Sequence, residues 1–250
     1  MPHTSYTPRY ERPGKRAATP FAWQRVDYRL LELLDEYGAL TVQMLLCVMP
    51  EETYDHVNAR LRTLWRAGEV ERLKGMQACV YSRKKGKQLP HRLARSRLHL
   101  CIEQFSRAHP DNQYAWVNEA GKREDPVIPD AQFHVWNTQF EAHFTVEIDQ
   151  SWENVLLVVT KMQAHLAMRE EAQKTGTYIP YRVLFATNNI GNRLARIRRR
   201  MAEVEASKAS PHFILYTDQG RYSPERPDRV LLEPIWQTAH SDEYVALLKG

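Results

Sequence analysis

At 250 residues the chain is long enough for one large domain or two small ones, each with a buried core. Apolar residues make up 43% of it with no run long enough to span a bilayer, and the opening MPHTSYTPRYERPGKRAATP lacks the apolar core of a secretory signal, so a cytoplasmic protein without membrane contact is expected. The net charge of +5 is mild but uneven: Arg9, Arg12, Lys15 and Arg16 load the start, and YSRKKGKQ (81–88) and RLARIRRR (193–200) are further concentrations that point toward a polyanion.

Residues 1–24 are rich in Pro, Thr and Arg without periodicity and read as a flexible basic arm. Val26, Leu30, Leu33, Leu34 and Tyr37 then form the stripe of an amphipathic helix closed by Gly38. A short helix runs from Thr41, a good N-cap, to Met49, and Pro50 ends it. A third begins near Glu51, buries Val57, Leu61 and Leu64, and stops at Gly68. Its opposite face carries Asp55, Ala59, Arg62 and Arg66, flanked by Asn58 and Thr63. Strand-like runs at 69–74 and 78–83, joined by a turn at Gly75, complete a winged helix-turn-helix over 25–90. A helix of this kind fits the major groove, where Asn58, Arg62, Thr63 and Arg66 reach bases or phosphates. Lys74, Arg83, Lys84, Lys85 and Lys87 place charge on or beside the wing, near a phosphate backbone.

From His91 to about His109 the pattern is a linking helix with Leu93, Leu98, Ile102 and Phe105 apolar. Strands follow at QYAWVNE, DPVIPDAQFHVW and FEAHFTVEID, then a long helix over 152–174, a buried strand YRVLFATN, a helix with Leu194, Ile197, Met201 and Val204 inward, and a strand HFILYTD. Strands alternating with long helices imply α/β packing with parallel neighbours. The expected fold class is therefore α/β, α+β overall: a winged helix-turn-helix followed over 91–240 by an α/β domain with a central mixed sheet, and a tail at 241–250.

The chemistry concentrates in VIPDAQFHVWNTQFEAHFTVEIDQS, Val127–Ser151. It places Asp130 of a Pro-Asp pair at the start of one strand and Glu147 near the end of the next, so both converge on one point. Asp149, two residues on, shares the face of Glu147. Carboxylates so placed are hard ligands for Mg²⁺, as metal-dependent phosphodiester hydrolysis requires. Nucleases with this layout carry a lysine where this chain has Asp149; Lys161, on the long helix with His165 one turn beyond it, is the substitute. The catalytic candidates are thus Asp130, Glu147, Asp149 and Lys161, and the metal ligands Asp130, Glu147 and Asp149. No His-x-His, Gly-x-x-x-x-Gly-Lys, Gly-x-Gly-x-x-Gly, Gly-x-Ser-x-Gly or His-Glu-x-x-His occurs. Three scattered cysteines without a Cys-x-x-Cys pair speak against a disulfide framework and structural zinc.

The winged helix, PDA at 129–131, VEID at 146–149, Lys161, VLFAT at 183–187 and LEPIW at 232–236 together resemble the replication-relaxation family over about residues 25–240. That resemblance implies a restriction-endonuclease-like fold for the second domain, a role in replication or transfer of plasmids and mobile elements, and Asp130, Glu147 and Asp149 as site residues. The expectation is a double-stranded-DNA-binding protein with a degenerate nuclease-like domain, needing no cofactor to bind DNA. The alternatives are an active Mg²⁺-dependent endonuclease and an assembly protein whose second domain forms a homodimer.

Overall fold

The computed structural model describes residues 9–11, 22–74, 78–84, 86, 88–119, 126–176, 181–205 and 213–248. The chain divides into two compact units, Met1–Arg97 and Leu98–Gly250, where the sequence placed the boundary at 90/91. No helix among the described residues is long and apolar enough to cross a membrane.

In the first unit, α1 (Arg25–Tyr37) buries the expected stripe. Asp27, fully buried, bonds the backbone of Gln24 at 2.8 Å and takes Arg60 through Nε at 2.9 Å and Nη2 at 2.5 Å. That bidentate pair ties α1 to α3 (Tyr54–Ala67). Gly38, at φ 92°, turns the chain out of α1, and Ser82 donates a hydrogen bond to its carbonyl at 2.6 Å. The two-residue strand β2 (Leu40–Thr41) was not expected, being too short to show a period. Thr41 then caps α2 (Val42–Val48) by accepting from the Met44 amide.

Helix α3 starts three residues later than the sequence suggested, because the side chain of Thr53 caps it from outside and leaves Glu51 and Glu52 before the helix. Gly68, left-handed, ends it. The hairpin strands β3 (Glu71–Lys74) and β4 (Cys79–Ser82) follow, and β4 pairs with β2. A further strand, β1 (Arg9–Glu11), pairs antiparallel with β3 and gives a four-stranded sheet in the order β1-β3-β4-β2. Part of the expected flexible arm is thus a strand; residues 1–8 and 12–21, like the turn at Gly75, lie outside the described residues.

Helix α4 (Leu89–Ala108) begins with Pro90 in its first turn, where a missing amide hydrogen costs nothing. In the second unit come β5 (Gln113–Asn118), β6 (Ala131–Trp136), β7 (Glu141–Asp149), α5 (Val155–Lys174), β8 (Tyr181–Thr187), α6 (Arg193–Glu205), β9 (Ile214–Asp218), α7 (Asp228–Leu231), β10 (Trp236–Gln237) and β11 (Tyr244–Val245). Seven strands form one mixed sheet in the order β11-β10-β9-β8-β7-β6-β5. Strands β7, β8 and β9 are parallel neighbours, as the two crossover helices between them require, while β5, β6 and β7 meander antiparallel. Val158, Met162 and Leu166 of α5 and Leu194, Ile197 and Met201 of α6 pack on Val183, Phe185, Ile214 and Tyr216 of the sheet. The opposite face of the antiparallel part carries a run of rings: His99 on Trp116 at 4.5 Å, Trp116 on Phe133 at 5.7 Å, Phe133 on Phe144 at 4.8 Å.

Candidate functional site

Strand alternation puts Glu141, His143, Thr145, Glu147 and Asp149 on one face of β7. Asp130 sits just before β6, where its amide donates to the Val146 carbonyl at 3.1 Å and its Oδ2 accepts from the Ile148 amide at 2.7 Å. Two backbone bonds therefore fix this carboxyl against the strand that carries Glu147. Helix α5, capped by the Asn154 side chain, runs over the same face and brings Lys161 and His165, one turn apart, down onto it. The Lys161 ammonium pairs with Glu147 Oε2 and lies 3.9 Å from Asp130 Oδ1. His165 Nε2 meets Glu147 Oε1 at 2.7 Å, both residues being buried.

Burial pushes the Glu147 carboxyl above its usual range, only partly offset by the His165 hydrogen bond and the Lys161 charge. Burial alone would lower Lys161, but Glu147 and Asp130 outweigh it and hold the ammonium above its ordinary value. The cluster thus keeps a charged lysine across two acids, one of them sealed from water.

Asp149 is held differently. Its Oδ1 accepts from Arg193 Nη2 at 2.9 Å and the Ser151 amide at 3.0 Å; its Oδ2 accepts from Arg193 Nε and from Thr187 Oγ1 at 2.8 Å. Four donors saturate both oxygens, and Arg193 also reaches the Glu153 carbonyl at 2.7 Å. Of the four catalytic candidates, then, Asp130, Glu147 and Lys161 come together. Asp149 shares their sheet face but is turned to Arg193.

Arg193 was missed as a site residue: RLARIRRR was read whole as a surface concentration, yet Arg193 and Arg198 are buried. Arg198 ties α6 to the following chain through the Thr238 carbonyl at 2.8 Å, Gln237 at 3.1 Å and Asp242 at 3.0 Å. Arg196, Arg199 and Arg200 are the exposed ones.

In the first unit, Arg62 and Arg66 of α3 are exposed together with Asp55 and Ala59, while Asn58 and Thr63 are half-buried. Thr63 Oγ1 donates to the Ala59 carbonyl at 2.9 Å. Lys74 and Lys84 are exposed. Arg83 pairs with Asp35 on α1, so its charge is partly neutralised within the unit. Lys85 and Lys87 lie outside the described residues. Arg72, not singled out from the sequence, sits over the Trp65 ring at 5.2 Å.

Two solved structures of the restriction endonuclease FokI, one of them bound to DNA, are similar to the chain at 13% and 11% identity, each with a TM-score of 0.34. The similarity covers 80% and 78% of this chain, and in both cases the chain spans only 42% of the other's length. No curated protein matches the chain. Residues 76–181 match the model of the replication-relaxation family. The segment that carries Asp130, Glu147, Asp149 and Lys161 is thus a replication-relaxation match, the family its short motifs resemble.

Proposed function

We propose that the protein binds double-stranded DNA through its first unit, a winged helix-turn-helix, and serves replication, transfer or transcriptional control of a plasmid or mobile element without cutting the DNA. The family match over 76–181 supports the setting. The observation that carries the DNA reading is the outward face of α3. Arg62 and Arg66 stand free of the core there while Arg60, two residues before Arg62, is turned inward to lock the helix on Asp27. A rigid helix with two exposed arginines is what direct readout of base edges uses. Lys74 and Lys84 add charge for the flanking phosphates.

The residues in place do not fit the Mg²⁺ that a nuclease of this layout employs. Two of the three acids share the Lys161 ammonium and the third has both oxygens filled by Arg193, Thr187 and a backbone amide. Hard-ligand sites need carboxylate oxygens free to face the ion, so the reading is a nuclease-like centre neutralised by its own cations. One observation favours the runner-up, an active endonuclease: Lys161 reaches both acids, the reach a lysine replacing the missing strand lysine would need.

The test is gel shift and cleavage of supercoiled and linear duplex, with and without Mg²⁺ or Mn²⁺, using wild type, Arg62→Ala, Arg66→Ala and Asp130→Ala. Each arginine variant is expected to lose about 1–3 kcal/mol in binding its preferred site, and wild type is expected to leave the DNA intact. Unchanged binding by the double arginine variant would sink the recognition helix. Metal-dependent cleavage that Asp130→Ala abolishes would establish the endonuclease instead.

A further inference from the structure

The geometry points to a second centre on the same sheet, a zinc-class divalent metal site formed by His134, Glu141 and His143. The hairpin of β6 and β7 sets His134 directly opposite His143, and Glu141 lies two residues before His143 on the same face. The two imidazoles stack with centroids 3.9 Å apart and planes 11° from parallel. Their Nε2 atoms approach one carboxylate oxygen, Glu141 Oε1, at 3.1 Å from His134 and 2.8 Å from His143. All three ligand atoms lie within 4.8 Å of one another, and no other group of three or more His, Cys, Asp or Glu does so among the described residues.

These spacings are close to those of a metal shell. A tetrahedral centre with bonds of about 2.0–2.1 Å has ligand atoms about 3.3 Å apart; the two nitrogen–oxygen distances are close to that, and an ion needs the stacked rings to turn so that both lone pairs converge on it. Proton placement argues the same way. The 3.1 Å contact of His134 with Glu141 lacks hydrogen-bond geometry, and His134 Nε2, itself out of reach of water, has no hydrogen-bond partner. That nitrogen faces the Glu141 oxygen without making a hydrogen bond, a position that an ion would fill. Two imidazoles with one carboxylate suit zinc, cobalt or iron(II), whereas Mg²⁺ prefers oxygen alone. Three protein ligands leave a fourth position, and a cleft of about 270 Å³ lined also by Gln132, Thr145 and Tyr181 adjoins the two histidines. The centre is separate from Lys161 and its acids, since His143 and Glu147 are four residues apart on one strand, roughly 13 Å.

The test uses the full chain, stripped with chelator and titrated without DNA, first with Co²⁺ followed by visible absorption and then with Zn²⁺ by calorimetry. A single equivalent is expected, with the absorption of a low-coordinate cobalt centre. His134→Ala and His143→Ala should each weaken Zn²⁺ binding by at least about tenfold, as even loss of an outer partner does. Glu141→Gln changes an exposed side chain, so it keeps the fold and should weaken binding too. Asp130→Ala should bind Zn²⁺ as wild type does, which separates this centre from the acids beside Lys161. No cobalt spectrum in wild type, or Zn²⁺ affinity unchanged in the His134→Ala/His143→Ala double variant, would overturn the site.

Discussion

If Lys161 stands where a metal would otherwise sit, removing it should create a weak Mg²⁺ site. In Lys161→Ala, Glu147 keeps its contact with His165 and Asp130 its bond from the Ile148 amide, but neither keeps the ammonium. Breaking a fully buried ion pair costs about 3–5 kcal/mol. The Lys161 side chain is 33% exposed, so the loss at neutral pH should be nearer 1–3 kcal/mol. It should shrink as pH falls, because Glu147, already held above its usual range by burial, then takes up a proton and no longer needs the cation. Addition of Mg²⁺ should return part of the loss. For two carboxylates binding with a Kd of about 1 mM, about 10 mM Mg²⁺ stabilises by RT ln 11, or about 1.4 kcal/mol, a rise in Tm of about 3–6 °C for a domain of this size. Thermal unfolding followed by circular dichroism, with EDTA and with Mg²⁺, measures both effects. Wild type should be insensitive to Mg²⁺ and the variant sensitive. Equal stabilisation of the two, or none of the variant, would refute the view that lysine and metal compete for these acids.

Two further outcomes follow from buried charges elsewhere. Burial raises the Glu205 carboxyl to about 7 from 4.5, against the hydrogen bond it accepts from Tyr216 at 3.1 Å. The folded state then holds more protons than the unfolded one between about pH 4.5 and 7, so stability is full below that window and falls across it, by up to about 3 kcal/mol. His240, 3.4 Å from the same carboxylate, reduces the fall where it is charged. Glu205→Gln should flatten the decline and exceed wild type above pH 7; a pH–stability curve identical to wild type would contradict it. In the first unit, Arg60→Ala should cost about 3–5 kcal/mol by stranding the buried Asp27, whereas Asp27→Asn with Arg60→Leu should restore part of it, and a loss under about 1 kcal/mol in denaturant titration would mean that α1 and α3 are held by packing alone.

How much of this could be read from the chain depended on whether a period carried the information. The stripes of α1 and α3 and the i, i+4 pair Lys161 and His165 were legible because helical spacing places them without knowledge of a partner. The strands β2, β10 and β11 are two residues each, too short for any alternation. Arg193 is more instructive. At 100° per residue, Leu194, Ile197 and Met201 define the buried stripe of α6, Arg193 and Arg198 flank it on either side, Arg196 and Arg199 fall opposite, and Arg200 lies two turns beyond Arg193 at nearly the same angle. Helical spacing therefore placed Arg193 and Arg198 at the edges of the core but did not separate Arg193 from the exposed Arg200. Asp149, on the sheet face beneath the crossover helices, was an acid in need of a cation. The two facts stand 44 positions apart, and only the parallel order of β7, β8 and β9 joins them. The histidine pair was nearer to hand. The Asn137 side chain accepts from the amides of Gln139 and Phe140 and closes the turn, and the Asn137 amide donates to the Phe140 carbonyl. A hairpin folded about that pair sets 134 against 143, because both pairs have the same sum of positions. What the sequence lacked was the location of the turn, since Asn-Thr-Gln is a weaker signal than Asn-Gly; once it is known, the meeting of the two imidazoles follows from counting.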